Sequence, residues 1–127
     1  FPFRVSQADL FTLDFVENLV AAAQKLNPKL VARTVISAAP TTANGTELKG
    51  GRRFLELSNI PPLNSTTFDR KAYRHAYAMG LGASESGDIK ARKEIADLTD
   101  EIRIISKRSQ SNYTAITKEV KNGFQTV

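Results

Sequence analysis

Three cations crowd the start of one amphipathic segment, Arg70, Lys71 and Arg74, and at that spacing a helix sets their positive ends along one face. Such a row neutralises DNA phosphates, steering and holding a duplex without reading its bases. Lys49, Arg52 and Arg53 make a second cluster, and Arg103, Lys107, Arg108, Lys118 and Lys121 a third. Each cluster alone reads more readily as a solvated face than as a site, so their worth as a DNA-binding surface depends on whether the fold gathers them. Tyr73, Tyr77 and Tyr113 could stack on bases, although packing at a helix surface is the simpler use. No catalytic residue is assigned: Asp9 reads as a helix cap, Asp14 as the polar face of the same helix, and His75 has no acidic or nucleophilic neighbour in sequence. A chain with no cysteine and a single histidine builds neither a disulfide framework nor a thiolate zinc site, and no metal site is expected.

The elements that would position these groups belong to one ordinary domain. At 127 residues the chain is long enough to bury about two thirds of its extended surface. Eighteen basic against 13 acidic residues leave a formal charge of +5, which favours an anionic partner without amounting to a basic tail. No apolar run approaches the roughly 20 residues that span a bilayer, so a cytoplasmic protein without stable membrane association is expected. The opening Phe1-Pro2-Phe3 has no initiator Met, and a fragment or processed chain is expected. Asn44-Gly45-Thr46, Asn64-Ser65-Thr66 and Asn112-Tyr113-Thr114 match the glycosylation acceptor pattern, but without a signal peptide no modification is expected.

Phe3-Arg4-Val5 alternates like the end of a strand. Asp9 stands where a cap would precede Leu10, Leu13, Val16, Val20 and Ala23, whose spacing predicts a helix over 10–26. Asn27-Pro28 stops it. Leu30 to Ala39 reads as a strand, so the order is βαβ with parallel pairing. Pro40 to Gly45 is a loop with a turn at Asn44-Gly45, and Thr46 caps a helix carrying Leu48, Phe54, Leu55 and Leu57. Ser58 to Thr67 reads as a loop stiffened by Pro61-Pro62, with Ile60 and Leu63 as a short buried edge. Asp69 caps or enters the next helix, which Gly80 ends in a left-handed stop. Ser86 or Asp88 begins a last helix striped by Ala91, Ile95, Leu98, Ile102 and Ile105. Ser109 to Asn112 breaks it, dividing a domain over 1–108 from an extension or loose helix over 109–127. Two parallel strands with their helices leave a sheet edge and part of an apolar face uncovered. An isolated chain is therefore expected to bury that surface against another copy.

In this order and spacing the segments resemble the ParA/MinD family of deviant P-loop ATPases, and more closely its Soj-like plasmid and chromosome partition branch. Pro2-Phe3-Arg4-Val5-Ser6 followed by Asp9-Leu10 is similar to the family's strand and proline loop leading into a helix. Asn27-Pro28-Lys29-Leu30 resembles the end of that helix. Val35-Ile36-Ser37 resembles the strand before the nucleotide-base loop, with Ser37 where the family usually has Asn. Phe68-Asp69-Arg70, Tyr73-Arg74 and Gly80-Leu81 resemble the next conserved stretch, and Lys90-Ala91, Glu94-Ile95 and Leu98 to Glu101 the last helix. The likeness covers residues 1–101.

The resemblance implies an α/β fold, the C-terminal part of a doubly wound, mainly parallel P-loop NTPase sheet. It implies that the intact protein binds ATP and Mg, forms a homodimer around ATP, holds nonspecific double-stranded DNA and answers to a centromere-binding ParB-type partner at the nucleoid. Ser37, Pro40, Thr41 and Thr42 would then line the base pocket, with Ser6 nearby, and basic residues of this half would face DNA. A hydroxyl at position 37 reaches less far than an amide and loses its double donor–acceptor character. Gly50-Gly51 lacks the spacing and the Lys-Ser/Thr of a phosphate-binding loop, so these 127 residues alone are not expected to hydrolyse ATP or to hold a cofactor. The alternatives are a stand-alone basic DNA-binding protein and a MinD-like membrane-positioning ATPase. The latter would need an amphipathic anchor, for which Ile116, Val120 and Phe124 offer a short stripe.

Overall fold

The computed structural model of the chain describes residues 1–42 and 45–124, without the side chains of residues 7, 112, 113, 115–118 and 120–124. The expected turn residue Asn44, the side chains of Tyr113, Lys118 and Lys121, and the stripe Ile116, Val120, Phe124 thus lie outside the described residues. The fold is mixed α/β. Strands β1 (Pro2–Phe3), β2 (Thr34–Ala39) and β3 (Pro62–Phe68) form a parallel sheet in the order β1-β2-β3. Helix α1 (Gln7–Leu26) connects the first pair and α2 (Thr46–Glu56) the second; α3 (Lys71–Ala78), a 3-10 turn at Ala83–Glu85 and α4 (Ile89–Phe124) follow.

Helix α1 starts earlier than its apolar stripe announces. The cap is Ser6, whose hydroxyl accepts from the Asp9 amide, and the Asp9 carboxylate reaches back to the Arg4 amide. Asp9 is therefore the acidic residue of the first turn, where the exposed amides favour it. At the other end the Asn27 side chain accepts from the Lys29 amide and closes a turn around Pro28.

Strand β2 is shorter than its β-rich sequence, because pairing begins only where neighbours exist: Val35 lies beside Pro2, and Thr34 beside Pro62. Leu30 to Arg33 have no strand alongside. Gly45, left-handed at φ 47°, is the N-cap of α2, and Thr46 is its first residue rather than its cap. Gly51 of α2 lies against the residue after β1: a Cβ there would sit 2.7 Å from Cγ1 of Val5.

The segment read as a loop at 58–67 holds the third strand. Pro62 takes the first strand position, where a missing N–H costs little, and Thr66, Thr67 and Phe68 are good strand formers. Between them Asn64 and Ser65 absorb a register shift, since Thr34 pairs with Pro62 but Ile36 with Thr66. The sheet thus has three parallel strands where the sequence predicts two.

Arg70, not Asp69, is the N-cap of α3. Gly80, at φ 71°, makes the left-handed stop that the sequence predicts. Asp88 caps α4 by accepting from the Ala91 amide at 2.9 Å. The helix runs through Ser109–Asn112 without the expected break; these residues are mediocre helix formers, but no Gly or Pro interrupts them.

Phe3, Leu13, Ile36, Ala39 and Leu55 pack as the core between the sheet and α1 and α2. On the opposite face, Val35 and Leu63 share a cavity of about 520 Å³ with Leu98, Ile102 and Ile105 of α4. Helices therefore cover both faces of the sheet. Among the described residues no helix is long and apolar enough to cross a membrane.

Candidate functional site

Parallel strands bring their C-terminal ends to one side, where ligands of open α/β sheets bind. Strand β2 ends there irregularly: Ala38 takes a left-handed φ of 49° within a register shift between Ile36 and Ala39. The twist is held on both sides, since Ala39 is fully buried and its carbonyl accepts from the Asp69 amide at 2.9 Å. Beyond it Pro40 and Thr42, with Gly45, Thr46, Glu47 and Leu48, line a cavity of about 310 Å³.

Of the four predicted base-pocket residues, Pro40 and Thr42 line this cavity; Ser37, half-buried in β2, and Thr41 do not. The α2 start, capped by Gly45, completes it. The positive end of a helix dipole favours negative or acceptor groups nearby. Glu47 on the same wall favours donors such as hydroxyls or an exocyclic amine. The arrangement suits a small polar ligand with both acceptors and donors better than a bare anion.

The three cations of the α3 start have unlike surroundings. Arg70 is half-buried: Nε donates to Glu94 at 2.6 Å, and the guanidinium lies 5.4 Å from the centroid of the Phe68 ring. Glu94 also accepts from the Tyr73 hydroxyl at 2.7 Å and from the Phe68 amide. Burial, then this hydrogen bond and the Glu94 charge, push the Tyr73 phenol far up, so it stays protonated. Arg74 is exposed and paired with exposed Asp69, and Lys71 projects to solvent. Arg70 is thus a packed residue tied to Glu94 and Phe68, while Lys71 and Arg74 are exposed.

The second cluster splits in the same way. Arg52 turns inward, donating to the carbonyls of Leu63 at 2.9 Å and Asn64 at 3.1 Å and to the Thr66 hydroxyl at 2.7 Å. Lys49 and Arg53 stay exposed on α2, in the helical layer opposite α3. Arg103, 3.6 Å from Asp100, and Lys107 are exposed on α4. Helix α4 runs against the strands, placing Glu94 by the end of β3 and Ile105 by the start of β2, so Arg103 and Lys107 lie toward the far end of the sheet from Arg70. Among the described residues one copy does not gather its cations into one surface.

Two carboxylates organise this region. Glu101 accepts from the Asn64 amide at 2.7 Å, the Ser65 amide at 2.8 Å and the Ser65 hydroxyl at 2.6 Å. Burial raises the Glu101 pKa, but these bonds and the nearby Arg52 charge outweigh it and hold the carboxyl below its usual range. The available signal was spacing: Glu94 and Glu101 are two helical turns apart, on the side of α4 that carries Ala91 and Leu98. Among the described residues no group of three or more His, Asp or Glu could hold a metal ion. No protein-family model, curated protein or solved structure matches the chain.

Proposed function

We propose that the chain is the C-terminal part of a ParA-type partition ATPase, whose doubly wound P-loop sheet takes its phosphate-binding loop from further polypeptide. The observation that carries this reading is a ligand-sized cavity at the C-terminal ends of parallel strands, walled by Pro40, Thr42 and the α2 start, with cations Lys71 and Arg74 following the neighbouring strand end. In this reading the cavity receives a nucleotide base. Pro40 supplies an apolar wall, Glu47 and Thr42 supply polar partners, and the positive end of α2 faces electron-rich atoms of the base.

Lys71, Arg74, Lys49 and Arg53 contact DNA phosphates, while Arg70 and Arg52 hold the backbone that presents them. Because the cations of one copy are dispersed, a continuous basic surface requires two copies, as the ATP-bound homodimer of this reading provides. Hydrolysis, stimulated by a ParB-type partner, would separate the copies and release DNA. The cellular place that follows is the bacterial nucleoid.

The test is retention of the full-length product on nonspecific DNA, with and without ATP and Mg. Lys71→Ala with Arg74→Ala should weaken retention about tenfold and flatten its salt dependence. Retention that is equal without ATP would favour a stand-alone DNA-binding protein instead.

A further inference from the structure

Helix α1 is apolar on both sides. Leu13 and Val20 are buried against the sheet, yet Phe11, Phe15, Leu19 and Leu26 are 84%, 71%, 54% and 91% exposed. At 100° per residue these four fall within a band of about 80°, opposite the buried side. A second apolar stripe of this size, exposed on the outer side of a helix, marks a contact surface. We propose that this outer stripe is a self-association surface, on which the α1 helices of two copies pack antiparallel about a twofold axis near Leu19.

The size of the patch favours a second copy. Two Phe and two Leu side chains this exposed present on the order of 500 Å² per copy. Facing another copy, they would cover about 1,000 Å², the lower bound for a specific interface. The charges are self-complementary. Asp14 and Lys25 flank the stripe on the same side, five residues before and six after Leu19. Around a twofold at Leu19, each Asp14 meets the partner's Lys25. Both are exposed, and neither has a partner among the described residues. Exposed Asn18, about 20° outside the band on the flank of Asp14 and Lys25, provides a polar group that can fix the register.

At the β3 edge the backbone of Asn64 and Ser65 is already engaged by Glu101 and Arg52. The proposal does not rest on the nucleotide reading, because nothing in the stripe involves the strand-end cavity.

Sedimentation of the 127-residue chain without nucleotide should show a reversible dimer. Phe15→Glu should weaken it at least about a hundredfold with helix content unchanged by circular dichroism. Asp14→Lys should weaken it roughly tenfold through two symmetry-related pairs, and adding Lys25→Asp should restore it. Because the chain has no cysteine, Leu19→Cys tests the axis directly: it should form a disulfide dimer under mild oxidation, and Ser84→Cys, on the other helical layer, should not. A monomer at several hundred micromolar, association only with ATP and Mg, no preference for cysteine at 19, or indifference to the charge swap would each overturn the proposal.

Discussion

The two edges of the sheet are closed by different means. At β1 closure is local. Pro2 has no N–H to offer, the strand ends after Phe3, and the next amide, Arg4, is taken by Asp9 five residues on. At β3 closure is remote: Arg52 from α2 binds the carbonyls of Leu63 and Asn64, and Glu101 from α4, 36 residues beyond Ser65, binds the amides. Two side chains thus stand in for a neighbouring strand, one as donor and one as acceptor. Exposed strand edges invite pairing with other chains. A proline and a cap suffice where the strand is short. A seven-residue strand requires long side chains from both helical layers.

The largest expected effect strikes the remote closure. Glu101→Ala leaves two backbone amides and a hydroxyl without their acceptor and removes the carboxylate charge near Arg52, and should cost about 2 kcal/mol, read as a lower urea midpoint. Comparable stability in that variant would show that water satisfies this edge unaided. The same closure should respond to acid. Glu101 ionises more easily folded than unfolded, so its contribution is fully present above the unfolded carboxyl pKa of about 4.3. It fades as pH falls through the lower folded value. The stability gap between the natural chain and Glu101→Gln should therefore shrink below about pH 4.

Smaller effects belong to the β1 side. Gly51→Ala would press a methyl group onto Val5 and should cost about 1 kcal/mol despite alanine's better helix propensity. In a Val5→Ala background that cost should vanish in chemical denaturation. Asp9→Ala, which frees the Arg4 amide and weakens the start of α1, should cost about 1 kcal/mol. The smallest change expected is a gain: Ala38→Gly should add about 0.5 kcal/mol by relieving a left-handed alanine. A loss there would mean that the alanine methyl group does more packing than its strain opposes.

These contrasts explain what could be read from sequence. The α1 stripe, the stop at Asn27-Pro28, the left-handed Gly80 and the parallel βαβ order rest on spacing and local chemistry, and the structure has them. The Ser6 cap was missed by three residues because Asp9 is also a good cap, and only the bond to Arg4 separates their roles. Strand β3 was hidden because Pro61-Pro62 and Asn64-Ser65 are loop formers on their own. Their strand geometry depends on Arg52 and Glu101, partners far off in sequence. For the same reason Arg70 and Arg52 read as surface cations, although each is turned inward by a carboxylate or carbonyls that no short-range pattern announces. At the candidate cavity Pro40 and Thr42 were legible from their place after a strand. The contribution of Gly45 to Leu48 was not, since it depends on where the start of α2 lies relative to the end of β2.

Helix α4 is 36 residues long, about 54 Å, whereas the seven residues of β3 span about 23 Å. Past Ser109, the last of its residues to line the large cavity, some 22 Å of helix continues. The molecule is therefore a block with a boom, and a small rotation of the block sweeps the far tip through a wide arc. Whatever binds that far stretch of helix would be displaced by lever action as the block turns, without touching the strand ends at all.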